Sequence, residues 1–600
     1  MSKFKFNMKV ILRSPIFLFY LAFLLLSFLL FVIAAILDPL VNYINYAIGL
    51  RDMEYYGVGM LTASFCVAAY FAQRNTILED TCLIPPVHTH LARFFALAFS
   101  SHFILIILII YVAIMSVIQK TDILFSISTF AATGFRWSIT IFLGESIGYL
   151  AGLLCNRFYI YLLAAPCACV FGMPNRYLFS LLFRDSDRLQ SILSGILSTQ
   201  SPFPSGMALD YVGSQLDTFF AAGVLFKYLL SALVLFLICL GAWCLRGKRS
   251  VHFLRVYLKT PNAPGQRAFL RCAASFFLEI RQYSCEKMSC ATQKSLAAGH
   301  IMSFQIHPRK WCAGAVGVCI CLAASAFLYV EKFPLRYSAT EKLYMPIEEK
   351  SWGTISTISG EIDLGQICKV TCNVLLDNVT SSVVTVRLDD SFKDLQILHD
   401  GEPVRYTRNG DTITIYVDNV SQEKQIPLDF VYKGYVYYLS DTNNIDIFAS
   451  KMAAALPPGF AFLPQADDGN PICYDLDVSS GNTVISNLNI ENVEQSHCYK
   501  IHGTSSSICI FSGFLSEQRI GESICYRAKY NVRTDYAALY EKMFTLGAFI
   551  DARNGIVEMK NQDMDFRNPQ KVFLIFYFYD TGGFPICYDD YVLMNYGYVT

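Results

Sequence analysis

The sequence predicts a membrane all-α bundle of six spans plus a seventh, followed by an extracytoplasmic antiparallel β-sandwich and a small α/β C-terminal part. Three observations predict it. First, hydrophobic residues make up 54% of the 600 and charged residues 16%, against roughly 25% charged in an average soluble domain. That composition excludes a disordered chain and argues against a purely soluble one. Second, the formal net charge of zero hides a split. Residues 1–330 hold 26 Lys+Arg and 13 Asp+Glu, and residues 331–600 hold the other 22 and 35. Third, long apolar runs stop near residue 330, where period-two alternation begins.

A bilayer core takes about 20 apolar residues as helix. The first run, 16–37, has no internal charge and no small-residue cleavage site before a polar start, so it reads as a retained span and not as a signal peptide. The others are 58–72, 94–118 (with His102 as its polar ring), 137–155, the short 158–173 containing Pro166, 225–245 and 311–330. Lys3, Lys5, Lys9, Arg13, Arg74, Arg93, Arg157 and the 12 Lys+Arg of 246–310 all fall on one side if the N-terminus is cytoplasmic and the chain crosses seven times. The acidic C-terminal 270 residues are then exported from a multi-pass protein of the cell membrane. The implied domains are 1–246, a six-span bundle; 247–310, a basic cytoplasmic segment; 311–330, the seventh span; 331–530, the β-sandwich; and 531–600, the α/β extension. The positive-inside rule accounts for the basic segment without nucleic acid.

Within the fourth span, Gly144-Glu145-Ser146 is followed by Gly148 and Gly152. Glycines every fourth residue share one helical face and let a second helix approach closely. An acid inside an apolar run is costly, so Glu145 is expected either to face the bundle interior as a pathway residue or to pair there with a base.

Between the second and third spans lies Gln73-Arg74-Asn75-Thr76-Ile77-Leu78-Glu79-Asp80-Thr81-Cys82-Leu83-Ile84-Pro85-Pro86-Val87. In Thr76, Leu78, Glu79, Leu83, Pro86 and Val87 this resembles the first cytoplasmic segment of type-2 ATP-binding-cassette permeases. The family's Glu-Gly before the Thr is replaced by Arg74-Asn75. The resemblance implies a short amphipathic helix, including Asp80, that docks on a partner ATPase. It also implies a six-span layout over 1–246 that dimerises with a like or unlike bundle. No G-x4-G-K-[ST] loop occurs, so any ATP would be bound by a separate chain.

After residue 330, Val383–Leu388, Leu395–His399, Thr412–Val417 and Ile426–Gly434 read as strands, and Phe460–Leu463, Val484–Ser486 and Ser507–Ser512 continue the pattern. Asp400-Gly401 and Asn409-Gly410 are hairpin turns of the kind that places two residues at positive φ. A helix over Tyr536–Leu546 and a strand over Val572–Tyr579 follow. Leu395, Ile397, Gly401, Val404, Ile413, Ile415, Leu428, Phe430, Tyr432 and Gly434 are similar to the N-terminal β-domain of gluzincin aminopeptidases. Fusions of a type-2 permease to such a peptidase exist, and this chain resembles one without its catalytic part.

A gluzincin holds zinc with H-E-x-x-H on a helix. None of the nine histidines makes that pattern, so no catalytic residue and no metal ligand is assigned. Thirteen cysteines precede residue 331, mostly as small apolar residues, and seven follow. An odd number excludes complete internal pairing. Cys368 and Cys372, four apart on a strand, stand about 13 Å apart and cannot bond each other. Cys498 and Cys509 flank a turn and are a candidate disulfide.

The leading expectation is the membrane subunit of an ABC-type exporter, energised by a separate ATPase, with no cofactor of its own and a non-catalytic aminopeptidase-like outer domain. Two rivals remain: a membrane-anchored surface binding or sensing protein, and a truncated or split membrane metallopeptidase.

Overall fold

The computed structural model describes residues 2–37, 54–73, 86–119, 123–154, 158–199 except 173 and 185, 218–244, 308–333, and most of 353–595. Gaps in the last part are 418–424, 440–444, 467–469, 494–496, 530–534, 546–547, 552–556, 560–569, 576–585 and 588–590.

The N-terminal part is helical. Its helices are α1 (Ser2–Leu12), α2 (Pro15–Leu37), α3 (Glu54–Gln73), α4 (Pro86–Ser101), α5 (Ile104–Gln119) and α6 (Ile123–Leu154). After a 3-10 turn at Phe158–Leu163 come α7 (Ala164–Phe171), α8 (Asn175–Leu182), α9 (Asp187–Leu197), α10 (Thr218–Cys244) and α11 (Pro308–Lys332). Each of the seven apolar runs falls largely on helix. Among the described residues, three helical stretches suffice by length and hydropathy to cross a membrane: 89–114, 133–154 and 221–238. A fourth is added if 4–12 and 15–30, bent by 68° at their junction, count as one span. Pro15 explains the bend, because it has no N–H to continue the helix and suits a first helical position.

Helices α3 and α6 pack backbone to backbone. A methyl group added at Gly144 would lie 2.8 Å from Leu61 O, at Gly148 2.2 Å from Phe65 O, and at Gly152 2.5 Å from Ala69 O. Both sequences advance by four residues per contact, so the two helices run parallel and in register. Parallel α3 and α6 require the intervening α4–α5 stretch to run the other way. At the far end of the bundle, the fully buried Tyr329 of α11 wedges between α9 and α10. A methyl at Gly195 would meet its hydroxyl at 2.1 Å, and one at Gly223 its ring at 3.1 Å. The end of α11 thus meets the start of α10, and the two are antiparallel.

The C-terminal part is sheet-rich, and its pairing corrects the all-antiparallel expectation. Four sheets of eight, five, seven and three strands form among the described residues. In the largest, Thr354–Asp363 pairs antiparallel with Cys368–Asp377 on one side but parallel with Ile472–Ser479 on the other. The seven-stranded sheet is also mixed: Ser523–Ala528 pairs parallel with Lys571–Ile575, which pairs parallel with Tyr591–Asn595. Alternating burial along Ile472–Ser479 and Gln425–Gly434 gives one face to the core and one to solvent, as period-two patterning demands.

Three local expectations need correction. Asp400 and Gly401 do hold φ of 50° and 83°, but the second hairpin turns through Gly410-Asp411, not Asn409-Gly410. Asn409 still pairs with Thr412, and Gly410 takes the left-handed conformation (φ 59°). Phe460–Leu463 is an irregular buried segment, not a strand; its apolar side chains fill the core while Phe460 and Phe462 bond locally to Pro457 O and Phe460 O. Cys498 and Cys509 are not joined. Cys509 lies buried, its N–H donating to Asn487 Oδ1, while Cys498 begins the strand Cys498–Ser505. The helix α12 (Tyr536–Thr545) forms where expected, and the predicted strand 572–579 forms as Lys571–Ile575.

Candidate functional site

Four helices each place one polar side chain at a common point inside the bundle. They are Tyr20 on α2, Ser64 on α3, Ser101 at the end of α4, and Glu145 on α6. Tyr20 is 2% exposed and the other three are fully buried. Tyr20 Oη and Ser64 Oγ share a hydrogen bond of 2.8 Å. Ser101 and Tyr20 lie beside the Glu145 carboxyl, and neither is aligned for a hydrogen bond to it. Neither Glu145 oxygen meets a hydrogen-bond donor. Glu145 lies near the middle of 133–154, and Ser101 near the middle of 89–114, so the cluster is at mid-depth of the apolar stretches.

The sequence singles out Gly144, Glu145, Gly148 and Gly152; the three glycines lie against the α3 backbone and Glu145 is buried. The glycines leave no space between α3 and α6, and the Glu145 side chain sits beside Tyr20 of α2 and Ser101 of α4. Gly144 also lets the Ser64 side chain approach, since a methyl group at this glycine would lie only 3.2 Å from the serine Cβ. Tyr20, Ser64 and Ser101 were not legible as site residues. Hydroxyls in apolar helices commonly bond their own backbone, as Ser100 does to Ala96 O, Thr140 to Arg136 O and Ser146 to Phe142 O. The cross-helix bond of Ser64 is a property of the packing.

A second polar set fixes one end of the bundle. Arg93, buried on α4, donates to Phe71 O (3.1 Å) in the last turn of α3, where a cation complements the helix dipole. His90 Nδ1 lies 3.0 Å from the Tyr149 hydroxyl of α6. Tyr161 donates to Gln73 Oε1 (3.3 Å). These contacts clamp the two helix ends on either side of residues 74–85. Thr76, Leu78, Glu79, Asp80 and Leu83 lie outside the described residues, and Pro86 is the first residue of α4. A third set links His102 to α10: its Nδ1 lies 2.6 Å from Ala98 O, its Nε2 3.0 Å from Ser138 Oγ, and Tyr228 donates to the same hydroxyl (2.9 Å).

In the sheet region, Asp389, Asp390 and Asp411 bring carboxylate oxygens within 4.8 Å of one another. Fold contacts use them. Ser391 N–H and the Tyr438 hydroxyl donate to Asp389, and Asp390 N–H donates to Asp411 (2.9 Å). Burial first, and then the Asp389 charge, push the Tyr438 phenol well above its ordinary range. The nearby Arg408 guanidinium donates to the Leu388, Asp389 and Phe392 carbonyls and ties the acidic turn to the strand Tyr406–Asn409.

No family model matches the chain, and no curated protein does. Among solved structures, an M1 zinc metallopeptidase from Deinococcus radiodurans is similar at 12% identity and a TM-score of 0.23, over 30% of this chain and 48% of that one. Yeast LTA4 hydrolase in complex with bestatin is similar at 10% identity and a TM-score of 0.27, over 42% and 43%. The chain spans about half the length of these structures or less, and a likeness of this grade says nothing about activity.

Proposed function

We propose that this chain is the membrane subunit of an ABC-type exporter, powered by a separate ATPase and working as a homo- or heterodimer of bundles. In this reading the chain crosses the membrane seven times with its N-terminus cytoplasmic, and displays a non-catalytic, aminopeptidase-like sandwich outside. The observation that carries it is the four-helix cluster around Glu145. An ionisable carboxyl at the centre of an apolar span is costly to insert. A passive anchor gains nothing from that cost, whereas a transport bundle uses polar interior groups. The resemblance of 73–87 to an ATPase-docking segment supports the energy source. Clamped by Arg93, Tyr149 and Tyr161, the ends of that segment would pass a push from a soluble partner directly to α3, α4 and α6. Lacking H-E-x-x-H, the chain is assigned no peptide hydrolysis.

The test is purification of the full chain in mild detergent from its own cells. A Walker-A protein should co-purify, and Glu79→Arg should release it while leaving the bundle folded. Recovery of the intact chain without any ATPase would favour the surface binding protein. Zinc-dependent peptide cleavage by the purified chain would favour the metallopeptidase.

A further inference from the structure

We propose that Glu145 is a proton-binding site, neutral in this packed arrangement and charged only when the seam around it opens. The inference deepens the transport reading, since it names a ligand for the same cluster, but it depends only on the membrane bundle and not on the ATPase. The argument is geometric. Glu145 is fully enclosed, and both of its oxygens lack a donor. An ionised carboxylate in apolar surroundings needs a cation or several donors to be stable. Among the described residues no cation faces it, since Lys227 of α10, which also packs on α6, donates to Gly195 O instead, and the groups beside it are neutral hydroxyls. α2 offers the Tyr20 phenol, α3 the Ser64 hydroxyl and α4 the Ser101 hydroxyl. Tyr20 and Ser64 share one hydrogen bond, which takes one of their two O–H donors, so weak neutral hydroxyl donors are all that could meet a carboxylate here. Within α6 itself, Ser146 is turned back onto Phe142 O. A protonated carboxyl is the form that suits such a site, because it carries its own donor and accepts a neutral environment.

Release of the proton is tied to helix movement. Gly144 and Gly148 hold α6 against the α3 backbone, leaving no room on that side for water. The proton can leave Glu145 only to water admitted by separation of α2, α3 or α4 from α6, and the carboxylate then formed is hydrated. Closing the seam requires the proton back. One proton taken up and one released per cycle would therefore accompany opening and closure of the bundle.

The experiment is infrared spectroscopy of the full chain in lipid nanodiscs. At neutral pH the wild type should show the C=O stretch of a protonated carboxyl in apolar surroundings, and Glu145→Gln should lose that band. Tyr20→Phe should keep the band but shift it, which guards against a misfolded Gln variant. Carbodiimide, which attacks protonated buried carboxyls, should label the Glu145 peptide in wild type. A spectrum in which wild type and Glu145→Gln do not differ overturns the proposal. So does a band that appears only after sodium and potassium are removed, since the site would then hold a metal cation. Co-purification of an ATPase can succeed or fail independently of either result.

Discussion

A single atom decides the consequence of substitution at several positions. Gly148 and Gly401 are both glycine for physical reasons, but different ones. Gly148 lacks space: its methyl would collide with Phe65 backbone. Gly401 has open space around it but holds φ 83°. Gly148→Ala should therefore destabilise by about 1–3 kcal/mol through overpacking, and Gly401→Ala by about 1–2 kcal/mol through left-handed strain alone. Melting curves of the purified chain will rank them, and Asn at 401 should recover most of the loss while Ser at 148 recovers none. A second residue-scale prediction concerns Cys368 and Cys372, which line the buried face of one strand. Burial, more than the neighbouring Asp363 and Asp429, pushes both thiols from 9.0 up to about 12. The unfolded chain ionises these thiols first. Their stabilising contribution is therefore complete below about pH 8.5 and is lost as pH rises toward 12. The sheet region should melt at falling temperatures across that alkaline window, and a Cys368→Ala, Cys372→Ala double variant should show a flatter slope.

At the scale of elements, α11 is keyed into the bundle and not merely tethered to it. Tyr329 fills a socket made by Gly195 and Gly223, and Lys227 Nζ donates to Gly195 O (3.2 Å) beside it. Tyr329→Ala should cost about 3 kcal/mol and loosen α11 from α10. Hydrogen exchange of the 308–332 peptide should rise in the variant while that of α3 and α6 stays unchanged. The sheets show the same dependence on neighbours. Gly434 ends a strand where a methyl would lie 2.5 Å from Ser391 O, so the acidic turn and the central sheet are fixed by backbone contact.

At the scale of the molecule, the two halves share buried surface. Ile196, Ala222, Val224, Tyr329 and Phe333 belong to the same hydrophobic core as the strands, and Phe514 is buried with Phe28, Tyr56 and Trp137 of the helices. A sheet region seated this way would feel rearrangement of the bundle. Its side of the membrane is tested with Cys473, exposed on the strand Ile472–Ser479. A membrane-impermeant maleimide should label Cys473 in intact cells and fail to label Cys473→Ser at that peptide. Labelling only after permeabilisation would reverse the proposed orientation.

Residue pattern marked the change of class near residue 330, because uncharged apolar runs of about 20 residues suit helices and period-two alternation suits half-buried strands, and the described residues are helical before it and sheet-rich after it. The residue pair Asp400-Gly401 itself prefers positive φ and so placed its turn, and glycine spacing with an acid inside an apolar run gave Glu145 and the glycines at 144, 148 and 152 as expected interior positions. Only the tertiary structure decided the rest. Parallel pairing of Thr354–Asp363 with Ile472–Ser479 joins strands more than a hundred residues apart, and no local pattern encodes such a partner. Phe460–Leu463 reads as a strand because strands and buried loops are equally apolar. Tyr20, Ser64 and Ser101 became a site around Glu145 because four helices converge on one point, and convergence is a fact of packing in three dimensions.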